Sequence, residues 1–399
     1  NLDSHIELYG TVGFPSHGPA AGTTPLLMAG SDILAVRIQN GGRDRVALLY
    51  NTPAWGDHAA GEHDTPATYV QQIGPSLLRW AMGGIHIGER RASFQADVDD
   101  WFITTGIWDV DLGQIVDEPG FALSANDAVV AASLQASLRA AGGGIAPDFT
   151  WSMAFNGEGA NFSSVVDCAQ PVEAHTLSSM TRCLAGDFWW VNHTWDHQYM
   201  DWIPGVGVNL TVPQVTSRLT QNDGLATEFG FGVNYSPRSL VTGDISGLGW
   251  YDPDGPEHEP VHKVDFGLDH ASPYFVQAAF DTGHTFVASN MSTPSHEPNC
   301  WSCGIYLPLD DNVIEPIPNV ELFLVPRWPT NLFATVTTPE AVVDAYNRIY
   351  GPGGTDPIPG ITEPLTYEQI LDIDTEIALG HVLAGSPYPH YFHVPNLYN

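Results

Sequence analysis

The pattern of apolar and polar positions changes near residue 85 of the chain. Before that point, two strand-like runs at 33–38 and 46–50 flank a glycine-rich turn, which is typical of a β-hairpin. A later apolar run at 77–82 predicts a short helix that ends at two glycines. Because this stretch is too short to bury a large core alone, we expect residues 1–85 to be a small β-rich segment. It would be either an appendage or the tail of a leading domain.

From residue 86 onward, strand-like and helix-like segments alternate along the chain. This alternation predicts a parallel sheet covered by helices, either a barrel or an open sheet. In such folds the chemistry lies at the carboxyl ends of the strands. A middle region at 200–310, rich in Gly, Pro and His, predicts long loops. The predicted strands are 93–98, 149–155, 188–191, 320–325 and 391–394, and the predicted helices are 125–141, 339–350 and 367–383.

The charge balance excludes two classes of partner. The chain has 46 acidic and 13 basic residues, which give a formal net charge of −33. A surface this negative repels the phosphates of nucleic acids and the headgroups of anionic lipids. No apolar run reaches the roughly 18 residues that suggest a membrane-spanning helix. We therefore expect neither a nucleic acid partner nor a membrane span.

Four cysteines form two local pairs, Cys168 with Cys183 and Cys300 with Cys303. In an exported protein, each pair would most simply form a disulfide that closes a short loop. Reduced thiols are an alternative, and so is redox or metal chemistry at the single Cys-x-x-Cys, although no second such motif completes a zinc site. We expect an extracellular, secreted protein.

Two polar segments that follow strand-like runs carry residues suited to metal chemistry. The first ends in the adjacent carboxylates Asp99 and Asp100, and the second contains His193 and His197. Histidines four residues apart lie on one face of a helical turn, so both imidazoles can reach one ion. One carboxylate would complete three protein ligands and leave a position open for water. The other carboxylate could accept a proton from that water.

Each segment also has a simpler explanation. Adjacent aspartates at a strand end are often a turn or a helix cap, and a chain with 16 histidines contains chance pairs at this spacing. The presence of both segments, each after an apolar strand, favours a functional site. The stretch from His258 to His262 matches the zincin motif, but Pro260 would break the helix that the motif requires, at a cost of about 3 kcal/mol. We therefore do not expect a metallopeptidase.

The two segments resemble the first two motifs of NodB-type polysaccharide deacetylases. Val98-Asp99-Asp100 is similar to Thr-Phe-Asp-Asp, and His193-Thr194-Trp195-Asp196-His197 is similar to His-[Ser/Thr]-x-x-His. Val98 and Trp101 depart from the usual Phe and Gly. The wider sequence, over residues 85–399, resembles a divergent branch that includes the fungal galactosaminogalactan deacetylases. Further matching pieces are Gly88-Glu89-Arg90-Arg91, Tyr235-Ser236-Pro237 with Leu240-Val241-Thr242, Val325 to Asn331 and Pro389 to Asn396.

This resemblance implies a fold and a metal site. The fold would be a distorted (β/α) barrel of the polysaccharide deacetylase type over residues 86–399. Asp100, His193 and His197 would hold a divalent metal, usually zinc.

The resemblance also implies roles in proton transfer. Asp99 falls on the position of the catalytic base, and Arg327 is similar to the arginine that orients this base. His393, near the end of the last strand, resembles the histidine that protonates the leaving amine. The usual form of that last motif is Leu-x-His, and a literal Leu379-Gly380-His381 exists. Because it falls inside a predicted helix, His381 is the alternative acid.

Aromatic residues near the motifs fit a sugar ligand, because flat rings give sugar faces apolar contact. We expect Trp101 and Trp195 to bind substrate, although aromatic residues beside strands also serve as core. The sequence therefore predicts a metal-dependent enzyme that removes N-acetyl groups from an amino-sugar polysaccharide. One alternative is a carbohydrate-binding or structural protein with a decayed site. Another is a metal-dependent acetyl esterase, since the same chemistry cleaves esters.

Overall fold

A computed structural model of the chain describes residues 23–29, 32–40, 43–48, 92–141, 146–162, 166–203, 207–208, 210–251, 264–298, 304–307 and 321–398. The predicted helix at 77–82, the pair Cys300 and Cys303 and the stretch His258 to His262 lie outside these residues. The chain divides into two compact units. Residues 1–91 with 379–384 form the first, and residues 92–378 with 385–399 form the second. The boundary at residue 85 stays a prediction.

The described N-terminal residues form a three-stranded antiparallel sheet. Its strands are β1 (Thr23–Ala29), β2 (Asp32–Asn40) and β3 (Arg43–Leu48), in that order. Asn40 pairs with Arg43, so two residues connect β2 and β3, as in the hairpin that the glycine-rich turn predicts. The expected N-terminal β-rich segment is confirmed.

The second unit alternates strands with helices. Its strands are β4 (Ala96–Asp99), β5 (Thr105–Asp109), β6 (Gln114–Phe121), β7 (Ser152–Phe155), β8 (Trp189–Asn192), β9 (Trp202–Ile203), β10 (Gly207–Val208), β11 (Tyr235–Leu240), β12 (Trp250–Tyr251), β13 (Val264–Asp265), β14 (Phe286–Asn290), β15 (Ile305–Leu307), β16 (Leu322–Pro329) and β17 (His390–His393). Its helices are α1 (Ala125–Ala141), α2 (Leu177–Cys183), α3 (Val212–Phe229), α4 (Pro273–Asp281) and α5 (Pro339–Tyr350). Helix α6 (Tyr367–Ala384) begins in this unit, and its residues 379–384 belong to the first.

Seven of these strands close into a parallel barrel. Their order is β4, β7, β8, β11, β14, β16 and β17, and β17 pairs again with β4. A further strand, β15, pairs with β16 in the antiparallel sense. The (β/α) barrel implied by the sequence is therefore confirmed. Because every barrel strand runs in the same direction, the carboxyl ends of β4, β8, β16 and β17 meet at one end of the barrel.

The helix starts follow the capping residues that the sequence offers. The side chain of Ser124 accepts the N–H of Asp127 at the start of α1. Thr338 does the same for Ala341 at the start of α5, where Pro339 occupies the first helical position. Such caps satisfy backbone N–H groups that a helix leaves unpaired. The predicted helices 125–141 and 339–350 are confirmed with the predicted bounds.

The expectation of long loops over 200–310 is wrong. This region contains two barrel strands, β11 and β14, and the helices α3 and α4. The sequence of α3 includes weak helix formers around Gly224, and β11 contains Pro237, so neither shows a clear periodicity. α3 is nonetheless held by a capping box between Thr211 and Gln214 and by its buried face. Burial by the barrel outweighs the weak local propensity.

Aromatic side chains form the core between the barrel strands β4, β7 and β8 and the neighbouring helices. Trp101 lies in this core with 0% of its surface exposed. Its ring meets that of Trp190 edge to face at 5.5 Å, and its indole N–H donates to the Thr181 hydroxyl at 2.9 Å. The predicted role of Trp101 in substrate binding is therefore corrected, because the core leaves no ring face for a sugar.

A disulfide joins Cys168 to Cys183, the last residue of α2. The predicted pairing of these two cysteines is thus present in the structure. Among the described residues, no helix is both long and apolar enough to cross a membrane.

We predict that Trp101→Ala lowers the free energy of unfolding by about 3–5 kcal/mol, because it leaves a cavity in the core and removes a buried hydrogen bond to the Thr181 hydroxyl. Trp189→Ala is the matched control, since 47% of Trp189 is exposed, and its cost should stay near 1 kcal/mol or below. Urea unfolding followed by circular dichroism measures both values. Equal costs for the two variants would contradict the core position of Trp101.

Candidate active site

Asp99 and Asp100 stand at the carboxyl end of β4 and face different partners. Asp99 is the last residue of the strand, and Asp100 follows it in a left-handed conformation, with φ of 77°. A left-handed residue interrupts the alternation of side chains along a strand. Asp99 contacts Arg327, whereas Asp100 contacts His193 and His197. The turn thus brings two adjacent buried carboxylates to one end of the barrel.

The structure brings Asp100, His193 and His197 together, as the sequence predicted. The Asp100 carboxylate oxygen Oδ1 lies 3.1 Å from His193 Nε2 and 3.5 Å from His197 Nε2. One potential ligand atom from each residue lies within 4.8 Å of the other two. The two imidazole rings are perpendicular, with centroids 5.0 Å apart. Three donors this close, two of them nitrogens, could hold one divalent ion.

The segment that carries the two histidines is an irregular turn, not the helical turn that the sequence predicted. Thr194 and His197 are left-handed, with φ of 64° and 56°, and no helix covers the segment. The turn is held by its neighbours: the Asn192 side chain accepts the Thr194 N–H at 2.8 Å, and the Asn156 amide donates to the His193 carbonyl. Side-chain hydrogen bonds therefore replace the missing helical ones.

His193 is oriented by the backbone of the next barrel strand. Its Nδ1 lies 3.1 Å from the carbonyl oxygen of Val241, which can only accept a hydrogen bond. Nδ1 therefore carries a hydrogen, and Nε2 faces Asp100. Burial lowers the pKa of His193, but its hydrogen bond to Asp100 and the charge of Asp99 outweigh burial and raise it. This arrangement, a histidine held by a carbonyl behind it, is typical of metal-binding histidines.

The surroundings of Asp100 lower the pKa of its carboxyl group. Burial raises its pKa, but the hydrogen bond from His193 and the charges of His197 and His393 lower it well below its ordinary value. Asp100 is therefore ionised at neutral pH, which suits a metal ligand.

Asp99 forms a two-pronged ion pair with Arg327. The guanidinium Nη1 donates to Asp99 Oδ1 at 2.9 Å, and Nη2 donates to Oδ2 at 2.8 Å. Arg327 is 1% exposed, and its Cζ lies 4.2 Å from the ring centroid of Tyr391. Burial raises the pKa of Asp99, but the charge and hydrogen bonds of Arg327 lower it below its ordinary value. Arg327 thus fixes both oxygens of Asp99, and the Asp99 carboxylate is ionised at neutral pH.

His393 lies beside Asp99 on the neighbouring barrel strand. The register of β17 on β4 pairs His393 with Asp99 directly, and the charge of His393 lowers the pKa of both Asp99 and Asp100. The alternative acid, His381, is buried inside α6. The register thus brings His393 next to the carboxylates.

A cleft of about 440 Å³ opens beside His197. Aromatic and acidic residues share its walls. Trp195, the second tryptophan predicted to bind substrate, is half-buried, and that role stays a prediction. The residues that line the cleft are Phe102, Ile103, Thr104, Glu158, Gly159, Asp196, His197, Gln198, Tyr199 and Asp244.

The loop after β11 supports the site and was missed by the sequence analysis. A Cβ at Gly243 would lie 2.6 Å from the carbonyl oxygen of His197 and 2.8 Å from its Nδ1, so only glycine leaves room for this histidine. Asp201 is buried and accepts the N–H of Gly247 at 2.6 Å. The glycines of Thr242-Gly243-Asp244-Ile245-Ser246-Gly247 were visible in the sequence. The close approach of His197 was not, because it depends on a turn nearly fifty residues earlier in the chain.

We predict that Gly243→Ala displaces His197 and weakens divalent metal binding by about 10- to 100-fold. This is the usual effect of disturbing the contacts that orient a metal-ligating histidine. Gly186→Ala is the matched control, because no atom lies within 4 Å of the position that its Cβ would take. Calorimetric titration with zinc or cobalt measures both affinities. Equal affinities would show that the site tolerates a side chain at Gly243.

We predict that Asp201 makes stability depend on pH. Burial raises its pKa from 3.8 to about 7, the Gly247 N–H opposes this, and Asp244 adds to it. The folded state therefore holds a proton that the unfolded state has lost, so stability falls as pH rises from 4 to 7, by up to about 4 kcal/mol. Asp97, whose pKa burial raises to about 6, contributes in the same direction in both proteins. Urea unfolding across this range, with a chelator present, should therefore show a loss that is larger in the native protein than in Asp201→Asn by about this amount. A loss of the same size in Asp201→Asn would exclude Asp201 as its source, and the exposed Asp111→Asn serves as the control.

Comparison with known proteins places the fold. No family model matches the chain, and no curated protein matches it. The solved structure of Agd3, described as a novel carbohydrate deacetylase, matches with a TM-score of 0.66 at 14% sequence identity. The match covers 96% of this chain and 56% of the Agd3 chain, so this chain spans little more than half the length of that structure. The chain thus shares the fold of this solved structure over almost its whole length.

Proposed function

We propose that this protein is a metal-dependent hydrolase that removes N-acetyl groups from an amino-sugar polysaccharide. The observation that carries the proposal is the convergence of two sets of residues at one end of the barrel. Asp100, His193 and His197 form a cluster of metal-ligating groups, and the ion-paired Asp99 lies beside His393. The shared fold with a carbohydrate deacetylase supports the same reaction class.

The donor set fits a catalytic divalent metal. Two imidazole nitrogens and one carboxylate oxygen are a common set in hydrolytic zinc sites, where a fourth position stays open. His193 already has the carbonyl contact behind it that fixes Nε2 toward the cluster. When bound by Asp100, His193 and His197, such an ion would polarise an acetyl carbonyl and lower the pKa of a nearby water.

Asp99 is the proton acceptor in this proposal. Its carboxylate is ionised at neutral pH, and Arg327 fixes both of its oxygens. A fixed base avoids the reorganisation that a mobile side chain would need during proton transfer. Among the described residues, Asp99 forms no hydrogen bond with His193 or His197, and each of its oxygens keeps a further acceptor site for a water.

His393 is the proton donor. An amide nitrogen leaves only after protonation, so a deacetylase needs an acid as well as a base. The β17 strand places His393 next to Asp99 at the same level of the barrel. Base and acid are therefore held by adjacent strands of one rigid sheet.

A polysaccharide fits the surroundings of the site. Tyr199, which is half-buried, lines the cleft beside His197, and an aromatic ring there can give apolar contact to a sugar face. Loss of acetyl groups makes an amino-sugar polymer cationic, and a protein of net charge −33 attracts such a polymer. The Cys168–Cys183 disulfide supports an extracellular location, where such polymers occur.

The geometry argues against a decayed carbohydrate-binding site. Neither Asp99 nor His393 is required to hold a metal, yet both are present, and Asp99 keeps its two hydrogen bonds to Arg327. Only the reaction gives Asp99 and His393 a common role, because one group must accept a proton from water and another must donate one to the leaving amine.

We predict that Asp99→Asn and His393→Ala each lower the deacetylation rate by about 100- to 10,000-fold, because each removes one proton-transfer group. Acetate and free amines released from N-acetylglucosamine and N-acetylgalactosamine polymers are measured, beside the metal content of each protein. The exposed Asp111→Asn is the matched control and should keep the native rate.

Two outcomes would contradict this proposal. Native protein that binds metal but is as inert as Asp99→Asn would favour a binding protein. Acetate released from a chromogenic acetyl ester, but from neither polymer, would favour an esterase.

A further inference from the structure

Asp97 carries a largely buried carboxyl group, with 13% of its side chain exposed, that the proposed chemistry does not use. It precedes Asp99 by two residues on β4, so both side chains lie on the same face of the strand. The register of β17 places Tyr391 opposite Asp97 and His393 opposite Asp99. Asp97 and Tyr391 thus form the layer of the barrel immediately below Asp99 and His393.

The guanidinium of Arg327 lies between the two carboxylates. Its Nη1 donates to Asp99 at 2.9 Å and lies 3.6 Å from Asp97 Oδ2. Its Nη2 donates to Asp99 at 2.8 Å, and its carbon Cζ covers the ring of Tyr391 at 4.2 Å. The buried Nε has no hydrogen-bond partner among the described residues. In the layer below Asp99, the guanidinium therefore contacts the carboxylate of Asp97 and the ring of Tyr391.

Asp97 has its own anchors, so its position does not depend on Arg327. Gln95 donates to its Oδ1 at 3.2 Å, and Ser152 on the neighbouring strand β7 also hydrogen-bonds to it. Burial raises the pKa of Asp97 to about 6, although the charge of Arg327 opposes this. At neutral pH, Asp97 is an anchored anion beside the cation that orients Asp99.

We propose that Asp97 is a positioning residue that acts on the reaction through Arg327. This inference rests on the proposed function of Asp99 as the base. A guanidinium that binds one carboxylate with two parallel bonds can still rotate out of the carboxylate plane. Asp97 attracts the Nη1 edge from the layer below and so keeps both N–H bonds directed at Asp99. Asp97 itself touches no substrate.

Kinetics of three variants test this role. Asp97→Asn should lower kcat about tenfold and leave KM within about twofold, because the contact it removes orients the base and binds no substrate. Asp97→Glu keeps the charge and should recover part of the loss. Asp127→Asn is the matched control, since Asp127 is a buried carboxylate that caps α1. It should lower thermal stability without changing kcat.

A double-mutant cycle separates positioning from general damage. In an Arg327→Lys background, the guanidinium that Asp97 orients is absent. Adding Asp97→Asn to this background should therefore change kcat by less than about twofold. An unchanged kcat in Asp97→Asn alone would overturn the proposal. So would the same fold-loss in both backgrounds.

Hydrogen exchange of the Arg327 side chain tests the proposal without an assay of enzymatic activity. With arginine labelled by ¹⁵N, the Arg327 side-chain signals are identified by their absence in Arg327→Lys. Their hydrogens should exchange with solvent at least several-fold faster in Asp97→Asn than in the native protein or in Asp127→Asn. Unchanged exchange would overturn the role of Asp97.

These readouts keep the two proposals apart. A native protein that is inactive on every polymer would defeat the proposed function, while the exchange of Arg327 would still be measured. If Asp97→Asn does not fold, Asp97→Thr carries the same test, because a β-branched residue suits the strand.

Discussion

The ion pair between Asp99 and Arg327 is the interaction on which the rest of the site depends. Each ion loses several kcal/mol of hydration when it is buried, and good geometry is needed to repay this. The two parallel hydrogen bonds, the second carboxylate of Asp97 and the ring of Tyr391 together provide that geometry. The barrel interior is therefore polar at this end. The apolar side chains of the same strand, such as Val98, point outward into the core beneath the helices.

Backbone strain accumulates where the barrel presents its functional groups. Asp100, Thr194 and His197 all adopt left-handed conformations, each of which costs on the order of 1 kcal/mol or more in a non-glycine residue. Hydrogen bonds from Asn156 and to Asn192 hold the histidine turn in this state. The aromatic core around Trp101 and Trp190 supports the strands from which these turns begin. Stability and function are thus linked, because the packed core maintains the strained turns.

The fold could be predicted from the sequence where local signals and burial agree. Helices with clear caps, such as 125–141 and 339–350, have the bounds expected of them. The region 200–310 was missed because Gly224 weakens the helical pattern of α3 and Pro237 weakens the strand pattern of β11. These elements form because the barrel buries one of their faces, and no local pattern records that burial.

The sequence by itself determined which residue types reach the carboxyl ends of the strands, because strand ends and their polar neighbours are local features. It thereby predicted that one carboxylate of the Asp99-Asp100 pair converges with His193 and His197. Resemblance to a family pointed to Asp100 as that carboxylate and to Asp99, Arg327 and His393 as the proton-transfer residues. Only the tertiary structure decided that Trp101 belongs to the core, that Gly243 leaves room for His197 and that Asp97 shares Arg327 with Asp99. Each of these depends on contacts between strands that are distant in the chain, and the closure of the barrel brings those strands together.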